Sequence, residues 1–383
     1  MKIAFIYDLA YPFVVGGGEL RNYEIGKRLA AQGHEIHFFS SKCWQGEKDL
    51  FLDGINYHGI CSYRGIYNFS GKRTIVEPLK FSLALRSALN GKKFDVIDCN
   101  AFPFLPFFPA KRFADKNSVP LAVMWQEVWG LRYWLSYLGP AGFAGSATER
   151  LAAAFSEHNM AGSKRVASNL STLGIPPEKI ELMENGFDFT AVKEALPSGK
   201  GADLVFFGRL AKHKNLDLLL KAVAILKEKG ITQTAAIIGN GPEKEKLVKL
   251  ASSLNISNSV SFLDFFPEKL QLFSFLKSCG VSVLPSTREG FSISSLESLA
   301  CGLPLITVAH AGNAASDLVR EGENGFVVPL TAEAIAEKIS LLAEDSALRK
   351  RLSISASSGL EEFDWGKISQ KTLSFYEKIL GEN

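Results

Sequence analysis

Short apolar runs alternate along most of this chain with longer stretches in which apolar residues recur at helical spacing. Runs bounded by Gly, Pro or polar turns read as strands buried on both faces of a parallel sheet, and the stretches between them as the covering helices. Residues 2–7, 35–40, 95–99, 121–126 and 158–163 form a first set of strands. Residues 203–208, 234–239, 260–265, 281–285 and 305–308 form a second. Between the sets, residues 193–202 are rich in Pro, Gly and Ser and lack hydrophobic periodicity, which marks a linker. A last amphipathic helix, after a break at Phe363-Asp364, is expected to pack back on the first set. The pattern predicts an α/β protein of two doubly wound, Rossmann-like domains, 1–190 and 200–363, with 364–383 returning to the first. Their strand ends should converge on a central cleft.

Length agrees, because 383 residues exceed the roughly 250 to 300 that one core supports. With 43 basic and 40 acidic residues and no basic stripe interleaved with aromatics, nucleic acid is not an expected partner. Five cysteines, widely spaced and never in a Cys-x-x-Cys pair, fit a reducing cytoplasm. The chain opens on a strand without a secretory stretch, and its longest apolar run, residues 102–110, is broken by three prolines, so no membrane span is expected.

Candidate chemistry gathers where strands end. Between Glu289 and Glu297 the chain reads Glu-Gly-Phe-Ser-Ile-Ser-Ser-Leu-Glu, after a buried strand and before a short helix expected at residues 296–300. Two carboxylates would flank a helix N-terminus, where carboxylates suit sugar hydroxyls and free amides suit phosphate. Arg209 and Lys214 fall on the strand-to-helix loop that Gly208 opens, a cationic pair suited to phosphate or, alternatively, two solvated surface charges. Gly239-Asn240-Gly241-Pro242 lacks the third glycine of a dinucleotide fingerprint, which disfavours a nicotinamide enzyme. Gly16-Gly17-Gly18 after the first strand exposes successive amides, as a phosphate or sugar loop or as a plain turn. Gln126 and Glu127 end a strand between Trp125, read as core, and Trp129. The six histidines form no metal motif and Asp-x-Asp is absent, so no metal is expected and the positive charge opposite a leaving diphosphate falls to Arg209, Lys214 and the helix end.

Together Gly16-Gly17, Gly208-Arg209 with Lys214-Asn215, Gly239-Asn240-Gly241-Pro242 and the Glu289 to Glu297 segment resemble the signature of the retaining family-four glycosyltransferases of the GT-B fold. Asn185-Gly186 before Asp188, Gly322 and Asn324-Gly325 fall where that family carries turns, and Glu127-Val128-Trp129-Gly130 and Ala300-Cys301-Gly302-Leu303-Pro304 look like its archaeal members. The resemblance implies transfer of a hexose from a nucleoside diphosphate sugar, a UDP-sugar or GDP-mannose, to a hydroxyl of a glycan or lipid-linked acceptor, with retention and without metal or cofactor. It implies that Arg209 and Lys214 bind the donor diphosphate, that Glu297 binds the ribose hydroxyls and that Glu289 contacts the transferred sugar. Amides around Phe291, Ser292, Ile293 and Ser294 would hold the distal phosphate, and the segment near Asp264 would lie by the base. Gly16, Gly17, Gly208 and Gly241 complete the donor side, with Gln126 and Glu127 on the acceptor side. The leaving phosphate itself would take the acceptor proton.

Three positions depart from the family pattern. Gln126 stands where many relatives have histidine, and Ser292 and Asp264 each replace a glycine. A nucleotide-sugar isomerase or a phosphorylase of the same fold, or a sugar-nucleotide-binding partner without turnover, are the alternatives. Residues 102–109 with Lys111-Arg112 have two readings, an apolar segment resting on the inner face of the membrane or a buried helix beside the acceptor pocket.

Overall fold

In the computed structural model, which describes residues 1–65 and 74–382, the apolar runs become two sheets. Runs such as Ile3-Ala4-Phe5-Ile6 are buried along their whole length, as a sheet covered on both faces requires. The first sheet holds β1 (Lys2–Ile6), β2 (Glu35–Lys42), β3 (Asp49–Leu52), β4 (Ile55–Ser62), β5 (Val96–Asn100), β6 (Leu121–Trp125), β7 (His158–Ala161) and β8 (Ile180–Leu182). Its order is β3-β4-β2-β1-β5-β6-β7-β8, parallel except for β3 against β4. The second holds β9 (Leu204–Phe207), β10 (Ala235–Ile238), β11 (Val260–Leu263), β12 (Val281–Leu284), β13 (Leu305–Val308) and β14 (Gly325–Val328), ordered β11-β10-β9-β12-β13-β14 and wholly parallel. Each order reverses direction once its first strand has been laid down, the doubly wound plan.

Two compact units result, Met1–Asn185 with Trp365–Asn383, and Gly186–Asp364. The division therefore precedes residues 193–202, which were expected to link the domains. That segment belongs to the second unit: Ser198 N donates to Ser274 O at 3.0 Å and Lys277 Nζ to Ala195 O at 2.8 Å. Small polar residues there satisfy backbone groups of a neighbouring helix, so low hydrophobicity did not mean a tether.

Four strands escaped the hydrophobic pattern. β3 and β4 form an edge hairpin of mixed polarity, and β8 is three residues long. β14 hides behind Asn324-Gly325, a turn by sequence. Gly325 is in fact its first residue, and a Cβ there would lie 2.0 Å from Leu305 O. The edge hairpin is held by a chain of ring nitrogens and carboxylates. Glu35 Oε1 meets His37 Nε2, His37 Nδ1 meets His58 Nε2, and His58 Nδ1 meets Asp49 Oδ1, each at 2.8 Å. Burial holds the His37 imidazole below the ordinary histidine value, while the Glu35 hydrogen bond pulls it up.

Within residues 102–109, Phe104 is buried in the first core, and Phe107, also buried, opens the helix Phe107–Asn117. The last helix, Trp365–Gly381, packs on the helix Gly17–Ala31. Beneath it lies a fully buried polar junction. Tyr376 donates its hydroxyl to Asp98 Oδ2 on β5, and Arg21 donates Nη1 to Glu184 O at 2.9 Å. Burial pushes the Asp98 carboxyl up to about 6, while the Tyr376 hydrogen bond and the Arg21 charge pull the other way.

Because the folded state disfavours ionised Asp98, its contribution to stability is full below the unfolded value of about 3.9 and is lost as pH rises through about 6. Unfolding free energy measured by urea titration across that interval should fall in the native chain by about 3 kcal/mol on account of this residue. Asp98→Asn should flatten the profile by that amount, and an identical profile in the variant would rule Asp98 out as its source.

Candidate functional site

In doubly wound sheets ligands bind beyond the strand C-termini where the order reverses. In the second unit that point lies between β9 and β12, and the loops following these strands are joined by short bonds. Thr287 N donates to His213 O at 2.9 Å, and Asn215 Nδ2 donates to Pro285 O at 3.0 Å. Asn215 has φ of 47°, a left-handed conformation that asparagine tolerates better than most residues, so it ends one loop while crosslinking to the other. Across this frame Lys214 Nζ donates to Glu289 Oε1 at 2.6 Å, with side chains only 12% and 9% exposed. The Glu289 backbone is fixed from the other side. Its N donates to Gly312 O at 2.8 Å and its O accepts from Ala314 N at 2.9 Å. Asn313 between them is fully buried and donates Nδ2 to Val308 O at 2.8 Å.

The helix after Glu289 spans Ile293–Ala300, three residues longer at its start than the sequence predicted. Ser292 supplies the reason. Its hydroxyl accepts from Ser295 N and meets Ser295 Oγ at 2.8 Å, capping the helix. It does so at φ of 76°, in the left-handed region where glycine is at ease. The amides of Ile293 and Ser294 therefore belong to the first turn, where no intrahelical acceptor exists. Glu297 lies in the second turn, buried at 2% exposure, and not beside the tip as expected. Its Oε1 accepts from Lys269 Nζ at 2.5 Å. Lys269 opens a separate helix, Lys269–Leu276, and no spacing in the sequence linked it to Glu297.

Arg209 follows Gly208 on the first loop and is half-buried. Gly239 and Gly241 have a packing reason: a Cβ would lie 2.0 Å from Gly208 O in the first case and 2.3 Å from Leu210 O in the second. The loop after β10 thus approaches the Arg209 loop backbone to backbone, with Leu210 N donating to Asn240 O at 2.9 Å. Asp264 lies at the exposed end of β11, where hydrogen bonds from Lys244 Nζ at 2.9 Å and Asn240 Nδ2 at 3.0 Å hold its carboxyl below the ordinary aspartate value. Phe291 is buried in the core of the second unit. The structure thus brings Lys214 to Glu289, Glu297 to Lys269 and Asp264 to Lys244, three cation–carboxylate pairs around the strand ends of one sheet.

The first unit carries the remaining candidates. Gly16 caps the helix Gly17–Ala31 in extended conformation, and a Cβ on it would meet Glu19 Oε2 at 2.4 Å. Gln126 Oε1 accepts from Asn185 Nδ2 at 3.0 Å, whereas Gln126 Nε2 and Asn185 Oδ1 are buried with no hydrogen-bond partner. Glu127 accepts from Trp129 Nε1 at 2.8 Å. Glu149, which no motif singled out, is fully buried and accepts from Trp129 N, Gly130 N and Trp134 Nε1, stabilising the start of the helix Gly130–Leu138. Trp125 is core, with Nε1 donating to Asn159 Oδ1 at 2.8 Å.

Residues 15–191 match the family model described as Glycosyltransferase Family 4, and residues 188–358 that described as Glycosyl transferases group 1. A putative colanic acid biosynthesis glycosyltransferase of Salmonella typhimurium is 27% identical over 183 residues, 45% of this chain and 44% of the relative. The chain spans about half the length of the curated relatives it matches. Among solved structures, a sucrose-phosphate synthase of Thermosynechococcus elongatus superposes with a TM-score of 0.83 over all of both chains at 18% identity. Anabaena HepE in complex with UDP gives 0.75 at 20% identity, covering 99% of this chain and 100% of that one. The fold is GT-B, and each half of the sequence is similar to one glycosyltransferase family model.

Ser292 is open to a direct test. Ser292→Gly gives up the cap, worth a few tenths of a kcal/mol against glycine, but relieves left-handed strain of roughly 1 kcal/mol or more. Ser292→Ala keeps the strain and loses about 1 kcal/mol of capping. Thermal unfolding should therefore rank the glycine variant at or above the native chain and the alanine variant below both; alanine above glycine would refute the strained cap.

Proposed function

We propose that this protein transfers a hexose from a nucleoside diphosphate sugar to a hydroxyl of a glycan or lipid-linked acceptor, with retention of anomeric configuration and without a metal ion. The Lys214–Glu289 pair at the switch point of the second sheet is the observation that carries this reading. An ammonium and a carboxylate so little exposed each need a charged partner. A diphosphate offers Lys214 a stronger anion than Glu289, and once released, Glu289 accepts hydroxyls of the transferred sugar. Arg209 and the amides at the start of the helix Ile293–Ala300 supply further donors to the same phosphates. Glu297 holds the ribose hydroxyls, with Lys269 fixing its carboxylate. As the bond from the anomeric carbon to the phosphate oxygen breaks, negative charge builds on that oxygen, and these donors stabilise it. The acceptor oxygen bonds to the anomeric carbon on the face the phosphate leaves, and its proton passes to the departing phosphate. No protein base is needed. The UDP held by the Anabaena neighbour supports a nucleoside diphosphate in this role.

Gln126 favours a second reading, binding without turnover, because its amide donates a hydrogen bond but carries no proton. Ser292, the other departure near the phosphates, does not, since its side chain turns back to cap the helix.

Titration calorimetry with UDP and GDP decides the site. Lys214→Ala should weaken the better ligand about 10- to 100-fold, the loss of one charged hydrogen bond, and Glu297→Gln about tenfold. Affinity unchanged in both variants would refute the assignment. Nucleotide release with acceptor should proceed in the presence of EDTA, with the donor's anomeric configuration conserved by proton NMR. Tight binding with no transfer to any acceptor would leave the second reading in place of the first.

A further inference from the structure

Three helices of the first unit, linked through a packing contact and a shared surface depression, expose large apolar and basic side chains. The central helix, Phe107–Asn117, packs against Val76–Ala88 on one side. On the other it shares a surface depression with Phe155, the last residue of the helix Gly142–Phe155. Val76–Ala88 turns Phe81 and Leu85 inward yet leaves Val76, Leu79 and Leu83 outside, at helical spacing, with Leu83 68% exposed. Gly142–Phe155 buries Gly142, Ala152 and Ala153 with the polar Ser146 and Glu149, and exposes Phe143, Leu151 and Phe155, the first of them 61%. Monomeric soluble proteins rarely leave large apolar side chains grouped this way.

A cationic ridge runs between the two apolar strips. Arg112 and Lys116 are exposed on the central helix, with Arg86 and Arg150 exposed on its neighbours. The acids nearby offset only part of this charge: Asp115 and Glu157 share Lys111, leaving one carboxylate over against the four cations, and Glu77 pairs with Lys80. The outward charge is therefore positive.

Apolar strips astride a basic ridge suit one kind of partner. A second copy of the chain, brought up by a two-fold axis, would set the ridge against itself. A nucleic acid would satisfy the ridge and leave the leucines and phenylalanines in water. A lipid surface accepts both, apolar side chains entering the headgroup boundary while arginine and lysine meet phosphate. We infer that this three-helix face docks on an anionic lipid surface. Residues 102–109 contribute to this face only through Phe108, half-buried beside Phe155, since Phe104 and Phe107 are buried in the core. The inference uses no residue of the donor site and stands apart from the proposed reaction.

Co-sedimentation of the full chain with vesicles of phosphatidylcholine alone, and of phosphatidylcholine with phosphatidylglycerol, tests it. Partition should be at least about tenfold greater into the anionic vesicles and should fall as salt screens the ridge. Arg112→Ser with Lys116→Ser should remove about tenfold of that partition, and Leu83→Ser with Phe155→Ser at least as much. These side chains are exposed, so thermal unfolding should match the native chain. Equal binding to both vesicles, or partition unmoved by either pair, would overturn the inference. So would a concentration-dependent dimer in sedimentation velocity that Phe155→Ser abolishes. A failure of UDP to bind the native chain would sink the proposed reaction and leave this inference standing.

Discussion

The second unit turns on one ion pair, Lys214 with Glu289, at the place where its strand order reverses. Taking an ammonium and a carboxylate from water costs several kcal/mol per ion, and only a well-placed partner offsets it. Neither side chain can be left alone at 12% and 9% exposure. Two arrangements are therefore open to Lys214, its carboxylate or a stronger anion. The loops that carry the pair are tied, one by Asn215 to Pro285 and the other by the Gly312 and Ala314 backbone. In the reaction proposed above, a frame tied in this way would present the Lys214 charge to a diphosphate with little reorganisation of the protein's dipoles.

Backbone constraints around the pair serve the same end. Gly239 and Gly241 have no room for a Cβ, so two strand-to-helix loops lie in direct backbone contact, and one of them carries Arg209. Asn215 and Ser292 both adopt left-handed conformations that most residues avoid. Each uses its polar side chain locally, Asn215 to bridge loops and Ser292 to cap a helix. Strain held at adjoining loops, and compensated by hydrogen bonds, is common where a site must be preorganised.

The hydrophobic pattern disclosed the doubly wound plan because parallel strands buried on both faces leave continuous apolar runs, and ten of them were legible. It failed where burial is partial. β3 and β4 at the sheet edge mix polar and apolar residues, and β14 begins on a glycine that serves close packing in place of a turn. Glycine and charge placement likewise pointed to the loops after strands that carry Arg209, Lys214 and Glu289, and the structure joins Lys214 to Glu289. The partners of those residues were not legible. Lys269 meets Glu297 across 28 positions, and Asn185 meets Gln126 across 59. Such contacts follow from how helices pack over the sheet, which spacing along the chain does not encode. The same limit explains the three-helix face: residues 102–109 are apolar in sequence and largely buried, while the exposed leucines and phenylalanines sit in ordinary amphipathic helices whose outward side only packing reveals.

The first unit is discontinuous, and its junction is polar where a hydrophobic one would serve stability at least as well. Helix Trp365–Gly381 reaches Asp98 through the Tyr376 hydroxyl, and Arg21 lies buried near both. A leucine at Tyr376 could fill the space but would leave Asp98 buried without that donor. Buried polar groups tolerate few arrangements, because any misplacement strands a charge. The last helix is thereby held to one register on the helix Gly17–Ala31, and the chain crosses between the units twice, at Asn185–Gly186 and at Asp364–Trp365. A single cut in the chain cannot separate the two units: the first is complete only when the final residues have come home.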